Sequence, residues 1–346
     1  MSFSIAELLA QHSEDKFELH EKHLNNQMVR VLKTIGYDCN YQRAIGQYLY
    51  DEQGNEYLDL LSGFGVFAIG RNHPTVISAL QETLTLELPN LVQLDVSILS
   101  GLLAKEILTT TPDNLEKMFF CNSGTEAVEA AIKFARYTTK RAKIVYCEHG
   151  YHGLTMGALS LNGEKIFREG FGPLLPDCIA IPFNDLAALE QALSNKDVAA
   201  FIVEPIQGKG VNLPDDDYLV EVERLCKKYG TLFVADEIQT GIGRTGKFWA
   251  IDHYGAKPDM ILMSKALSGG FVPVGAVAMT QHIMDTVFNR MDRAVVHGST
   301  FSKNNMAMAA GLAGLEVIKS EYLVAQSATV GNDIIASLNA LSTKYE

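Results

Sequence analysis

The sequence predicts an α/β fold built around a mainly parallel sheet, and three observations carry this. From Met118 onward, short apolar runs alternate with stretches of helical period, the pattern of strands joined by crossover helices. Several runs, such as Ala199–Val203 and Met260–Met263, are apolar without alternation, as strands covered on both faces must be. Two runs lead into a charged residue, Asp236 and Lys265, at the strand tips where open sheets place their ligands.

The elements follow in order. Residues 14–33 mix charge with Phe17, Leu19, Leu24, Met28, Val31 and Leu32, which suits an amphipathic arm helix broken at Asn25-Asn26. Tyr48–Leu60 reads as a β-hairpin around a turn at Gly54. Asn72-His73-Pro74 has the form of a helix start, with Pro near the first helical position. Strands are expected at Met118–Cys121, Lys143–Cys147, Ala199–Val203, Thr231–Ala235, Met260–Met263 and Ala276–Met279. Helices are expected at Thr125–Tyr137, Leu186–Leu193 and Asp217–Lys228. With 346 residues, no repeat and no linker-like tract, the chain reads as one large domain plus a smaller lobe built from its two ends.

Composition narrows the function. A net charge of −12 argues against nucleic acid, since phosphate binding needs clustered Lys and Arg. The five cysteines (Cys39, Cys121, Cys147, Cys178, Cys226) are scattered and form no C-x-x-C, as reduced thiols of a cytosolic protein do. The N-terminus has no basic region followed by an apolar one, and no uncharged apolar run approaches the roughly 18 residues of a membrane span. The expectation is a cytoplasmic protein with small-molecule partners, no nucleic acid and no membrane.

Asp236 precedes Lys265 by 29 residues. A carboxylate and an amine at the C-terminal tips of two buried strands are what pyridoxal phosphate (PLP) chemistry needs: a lysine for the Schiff base, and an aspartate that keeps the pyridinium nitrogen protonated. Asn122-Ser123-Gly124-Thr125-Glu126-Ala127 lies between a strand and a long helix. It has the small residues and hydroxyls of a phosphate cup, and equally the Ser/Thr and Glu of an ordinary N-cap. In Glu148-His149-Gly150-Tyr151-His152-Gly153, Tyr151 between glycines suits a platform for a flat ring. A metal site from Cys147, His149 and His152 matches none of the usual closed zinc spacings, so no metal is expected. Gly241–Lys247 matches part of a P-loop, but Phe248 stands where Mg²⁺ would need Ser or Thr, and no amphipathic helix follows. It reads as a turn-rich loop. His297-Gly298-Ser299-Thr300-Phe301 is a weak signal by itself.

Taken in order, these segments resemble the class III PLP-dependent aminotransferases, the group of ornithine, acetylornithine, 4-aminobutyrate and ω-amine aminotransferases. The matching stretches are Gly46–Leu60, Gly70–Pro74, Asn122–Arg136, Tyr151-His152-Gly153, Glu204–Gly208, Asp236–Gly246, Ser264–Gly275 and His297–Phe301. The resemblance implies PLP fold type I: a large domain around a mainly parallel sheet, plus a small lobe. By this likeness residues 1–70 would form an N-terminal arm and small-lobe segment, and 71–320 the PLP-binding large domain. Residues 321–346 would begin a C-terminal small domain that is truncated here.

The resemblance also assigns roles. Lys265 looks like the Schiff-base lysine and proton shuttle, and Asp236 like the partner of the ring nitrogen. Gln239 would reach the ring hydroxyl, Ile238 and Tyr151 would sandwich the ring, and Ser123, Gly124 and Thr125 would bind phosphate. His152 lies in a matched stretch and counts with the cofactor-binding residues, and Glu204 is similar to a family glutamate near Gln239. Thr300 resembles a threonine that reaches the cofactor of a neighbouring subunit, implying a homodimer with shared active sites. Leu154 departs from members that carry Arg there, which favours a donor with an apolar or uncharged portion. The implied activity is ping-pong transfer of an amino group from an amine or amino acid to a 2-oxo acid. A mutase or racemase on the same scaffold, a truncated inactive paralogue, and a P-loop nucleotide-binding protein are the alternatives.

Overall fold

Two sheets emerge from these runs in the computed structural model, which describes residues 3–345. The chain divides between Asp59 and Leu60 into two units. The first carries helices Ile5–Gln11, Lys16–His23 and Asn26–Thr34. The arm is indeed broken at the asparagine pair. Asn25 caps the third helix, its Oδ1 accepting the N–H groups of Gln27 (3.1 Å) and Met28 (3.3 Å). The same unit holds an antiparallel sheet of β1 (Tyr41–Ile45), β2 (Tyr48–Asp51) and β3 (Glu56–Leu58). Asp51 fixes the turn between β2 and β3: Oδ1 accepts from the amides of Gln53 and Asn55, and Oδ2 from Tyr57 Oη at 3.0 Å.

The second unit is built on a seven-stranded sheet. Its strands are β4 (Lys117–Cys121), β5 (Lys143–Cys147), β6 (Cys178–Ile181), β7 (Val198–Val203), β8 (Leu232–Asp236), β9 (Met260–Met263) and β10 (Gly275–Met279). Their order is β4-β10-β9-β8-β7-β5-β6. Neighbours from β9 to β6 are parallel, and β10 runs antiparallel to both β4 and β9. Short edge strand β6, only partly buried, was not foreseen from sequence.

Successive side chains of the central strands serve two cores. Val145, Phe201, Val203, Phe233, Ala235, Ile261 and Met263 pack on one face. Ile144, Tyr146, Ile202, Val234, Met260 and Leu262 pack on the other, against Ala127, Val128, Ala131 and Phe134 of helix Gly124–Thr139. This period of two explains the unbroken apolar runs. A fully buried Phe201 or Ile202 contributes about 1.5–3 kcal/mol relative to exposure.

One consequence of the topology positions the site. Strands β5, β7, β8 and β9 are mutually parallel, and β4 shares their direction because both it and β9 oppose β10. The loops after β4, β5, β7, β8 and β9 therefore leave at one edge. Among the described residues, no helix is long and apolar enough to cross a membrane.

Candidate active site

Asp236, the last residue of β8, is 2% exposed. Its Oδ1 accepts the Ile238 N–H at 3.1 Å, and its Oδ2 lies 2.7 Å from Nδ1 of fully enclosed His152. A carboxylate has no proton to give, so His152 Nδ1–H donates. Burial works against the imidazolium, but the bond to Asp236, its charge and that of Glu204 outweigh it and raise the His152 pKa. His152 Nε2 is buried with no partner.

Glu204 follows β7 and closes the next corner. Its carboxylate accepts the Tyr151 N–H at 2.9 Å and the Gly208 N–H at 2.8 Å. Burial pushes its pKa up, as does Asp236, while His152 and the two amides oppose the rise. A Cβ on Gly208 would lie 2.9 Å from the Gln239 amide nitrogen, so the Glu204 corner abuts Gln239. Gln239 Oε1 in turn accepts from Lys265 Nζ.

Lys265 follows β9 with φ +39°, in the left-handed region that non-glycine residues avoid. Ser264 Oγ holds this turn by donating to Val274 O at 2.6 Å. Burial lowers the pKa of half-buried Lys265 and nearby Arg244 lowers it further; Asp236 and Glu204 pull the other way, and the net direction is down. The result is an amine nearer to its free, nucleophilic form.

The loop after β4 supplies the opposite wall. Ser123 caps the long helix, accepting Glu126 N–H at 3.3 Å, while Glu126 reaches back to Asn122 N–H at 2.6 Å. The capping motif is thus real, and it leaves the Ser123 O–H free to donate. The Gly124 and Thr125 amides have no acceptor within the helix by its geometry. Thr125 Oγ1 lies 2.6 Å from Thr155 Oγ1, which donates to Glu129 at 2.6 Å. A Cβ on Gly124 would approach Ile238 to 2.9 Å, and one on Gly153 would approach Thr125 Oγ1 to 2.4 Å.

Ser123, Gly124, Thr125, Tyr151, His152, Glu204, Asp236, Ile238, Gln239 and Lys265 thus form one contiguous cluster. Tyr151 stands edge-on to Phe167 at 5.7 Å. Thr300 is exposed and joins less directly: its neighbour Ser299 accepts from Asn122 Nδ2 at 2.5 Å. Cys147, His149 and His152 engage three different partners, Tyr218, Glu164 and Asp236. Gly241–Lys247 forms turns that lead into a 3-10 helix, Ala250–His253, with no P-loop helix.

Comparison with known proteins places the chain in a family. Residues 32–346 match the protein family described as Aminotransferase class-III. The chain belongs to that family. It is 38% identical over 334 residues to aminotransferase PigE of Serratia sp. (strain ATCC 39006), covering 96% of this chain and 39% of PigE. Its fold is similar to ornithine aminotransferase from Toxoplasma gondii, with TM-score 0.85 and 30% identity, covering 98% of this chain and 80% of that one. It is likewise similar to an (S)-enantioselective ω-transaminase from Thermomicrobium roseum, with TM-score 0.86 and 29% identity over 99% and 81% of the two chains.

Class III aminotransferases are PLP-dependent, and the residues present fit that cofactor. Donors for a dianion stand at the helix start, an amine follows β9, and a buried carboxylate ends the adjacent β8. The glycines let Ile238, Thr125 and Gln239 pack close around the site, and His152 Nε2 is an orphaned polar atom in the same wall.

Three supporting residues escaped the sequence reading. Glu129 lies one helical turn beyond Thr125, a spacing that could have flagged it. Thr155 carried no signal. Glu237, 1% exposed, accepts Ile251 N–H at 2.8 Å and the Thr240 hydroxyl, and ties the turn after β8 to the segment beyond the glycine-rich loop. Burial lifts its pKa to about 7 against those hydrogen bonds.

Proposed function

We propose that this chain is an aminotransferase that moves an amino group from an amine or amino acid donor to a 2-oxo acid, in two half-reactions sharing one site. The observation that carries the reading is the convergence of Asp236, Lys265 and the Ser123–Thr125 helix start on one sheet edge, in a chain of this family. When bound, PLP supplies the electron sink that stabilises negative charge at the substrate Cα.

The chain's own residues do the rest. The Ser123 hydroxyl and the Gly124 and Thr125 amides hold the phosphate, aided by the helix dipole. Glu129 takes the Thr155 O–H, so Thr155 Oγ1 accepts from the Thr125 hydroxyl, and the chain of bonds fixes the start of the helix. Asp236 keeps a proton on the ring nitrogen, and His152 fixes the carboxylate that does so. Ile238 and Tyr151 would hold the ring when it is bound, while Gln239 aims Lys265 Nζ. That nitrogen takes the proton from substrate Cα and returns it on the other side of the reaction. Glu204 braces the Tyr151 backbone against the segment at Gly208 and so sets the depth of the cleft.

The reading includes a homodimer with shared active sites. It is supported by exposed apolar side chains Leu94, Val96 and Phe301, on two segments tied together by Lys303 Nζ donating to Asp95 O at 2.7 Å. Such a surface beside Thr300 suits a partner. A cytoplasmic setting is supported by five cysteines that are all free.

Visible absorbance of the purified protein tests the reading. A cofactor band is expected, and it should change on adding an amino donor and return on adding a 2-oxo acid. Borohydride followed by peptide mapping should fix the label on Lys265. A stable label on another lysine, or amine conversion without consumption of the oxo acid, would overturn the assignment.

A further inference from the structure

The glycine-rich loop Gly241–Lys247 was left without a task by the cofactor residues. Its backbone is held against helix Leu323–Ser342. Ser327 Oγ donates to Arg244 O at 3.1 Å, and added Cβ atoms on Gly243 and Gly246 would meet Val324 at 3.2 Å and Ala328 at 2.9 Å. The loop is therefore wedged in place, and it presents one cation, Arg244, toward the site.

Several observations locate that guanidinium. Nη2 donates to Gly65 O at 2.9 Å. A Cβ on Gly65 would lie 3.7 Å from both Arg244 Nη2 and Gln239 Cγ, so arginine and glutamine flank the same point. Gln239 is the acceptor of Lys265 Nζ. The charge on Arg244 is felt at Lys265, whose ammonium form it disfavours. Gly65 itself belongs to a run of four positive-φ residues, Ser62 to Gly65, whose turned backbone puts the carbonyl within reach.

The electrostatics are unbalanced. Arginine carries five N–H donors, and here one is used, on a neutral carbonyl. Among the described residues no carboxylate pairs with Arg244. Asp236 is engaged by His152, and Glu204 by two amides. The side chain is open to solvent, yet enough protein surrounds it that desolvation disfavours its charge. An accessible cation, uncompensated and beside the glutamine that holds the reactive amine, is an anion site. A carboxylate suits its planar fork best.

Resting on the aminotransferase reading above, we propose that Arg244 is the specificity-determining anchor for the carboxylate of the 2-oxo acid, and of the amino acid formed from it. The position Leu154, 52% exposed, offers no such charge and leaves an apolar wall for the uncharged chain of the amine donor. One site thus serves two unlike substrates: Arg244 reads the acid and Leu154 tolerates the amine. The anchoring of Gly65 uses a single N–H and is compatible with both roles.

Arg244→Met and Arg244→Lys holoenzymes test this in two ways. The first is binding without chemistry: propionate and neutral propionamide are titrated against the visible band. Propionate affinity should fall about 10- to 100-fold in Arg244→Met, the range for a charged hydrogen-bonded contact, with Arg244→Lys between and propionamide nearly unmoved. The second is single-turnover reaction of the aminated enzyme with pyruvate and with butanal. The pyruvate concentration for half-maximal rate should rise by a similar factor, with a much smaller change for butanal. Equal losses for the charged and neutral member of each pair would mean Arg244 only supports the Gly65 turn and would overturn the proposal, as would no loss at all. A wild-type protein that binds propionate through Arg244 but converts no amine would instead sink the aminotransferase reading.

Discussion

Glu237→Gln is the substitution whose effect is best fixed by the structure. Gln keeps the shape, can accept the Ile251 N–H through Oε1 and can donate to the Thr240 hydroxyl, but it cannot ionise. In the folded chain, burial raises the Glu237 pKa from 4.5 to about 7. Below pH 4.5 the carboxyl is protonated both folded and unfolded, and its contribution to stability is complete. Between 4.5 and 7 the unfolded chain releases the proton while the folded chain retains it, so wild-type stability falls by about 1.4 kcal/mol per pH unit. Above 7 both forms are ionised and the loss levels off at about 3 kcal/mol. The variant lacks this slope. Urea unfolding of both proteins at pH 5 and pH 7.5 should show the variant gaining roughly 2 kcal/mol on the wild type, the part of the loss that falls inside that interval. Parallel stabilities at the two pH values would refute the reasoning, because they would mean that Glu237 ionises normally inside the fold.

Other outcomes follow from the same site. Asp236→Asn should lower kcat/KM by about 10²- to 10³-fold, in line with removal of one preorganised electrostatic group; near-normal single-turnover rates would exclude the ring-nitrogen role. The same change removes an anion that favours the Lys265 ammonium. The pH midpoint for labelling Lys265 in the cofactor-free chain with pyridoxal and borohydride, below 10.5 in the wild type, should therefore move lower still. Gly124→Ala places a methyl 2.9 Å from Ile238 and should weaken PLP binding measured by fluorescence quenching; Ile238→Val in the same chain should recover part of the loss, since the two sites share a contact.

Much of this was legible in the residues. Strands Lys143–Cys147 and Met260–Met263 and helix Leu186–Leu193 lie where the apolar runs place them, because burial on both faces leaves a dense signal. The ends of two such runs, β8 and β9, made Asp236 and Lys265 recognisable. Strand β6 was not legible: two of its four residues face solvent, so its pattern resembles a loop. The first strand, Tyr41–Ile45, hid for a related reason, with an irregular register at Tyr41/Arg43 and little burial. Within the site, residues that act by touching one another were the hardest to see. Glu204 and Gly208 meet by a short local turn, but Glu129 and Thr155, or His152 and Asp236, are distant in the chain and gain their meaning only when the sheet brings them together. The glycine-rich loop shows the converse. Its motif suggested phosphate, while its geometry offers a guanidinium.

The place of β10 has a consequence for how the site comes into being. It is the sole link between β4 and β9 in the sheet, pairing Gly275–Met279 with Cys121–Lys117 on one side and Ala276–Met279 with Met263–Met260 on the other. Gly275 fits there only as glycine, since a Cβ would fall 2.3 Å from Ser123 O. The Ser123 turn and Lys265 are therefore brought together by a return from late in the chain that slots in beside a strand more than a hundred residues earlier. Contacts so far apart in sequence form slowly. The sheet edge that carries Ser123 has its pairing partner only once β10 is in place.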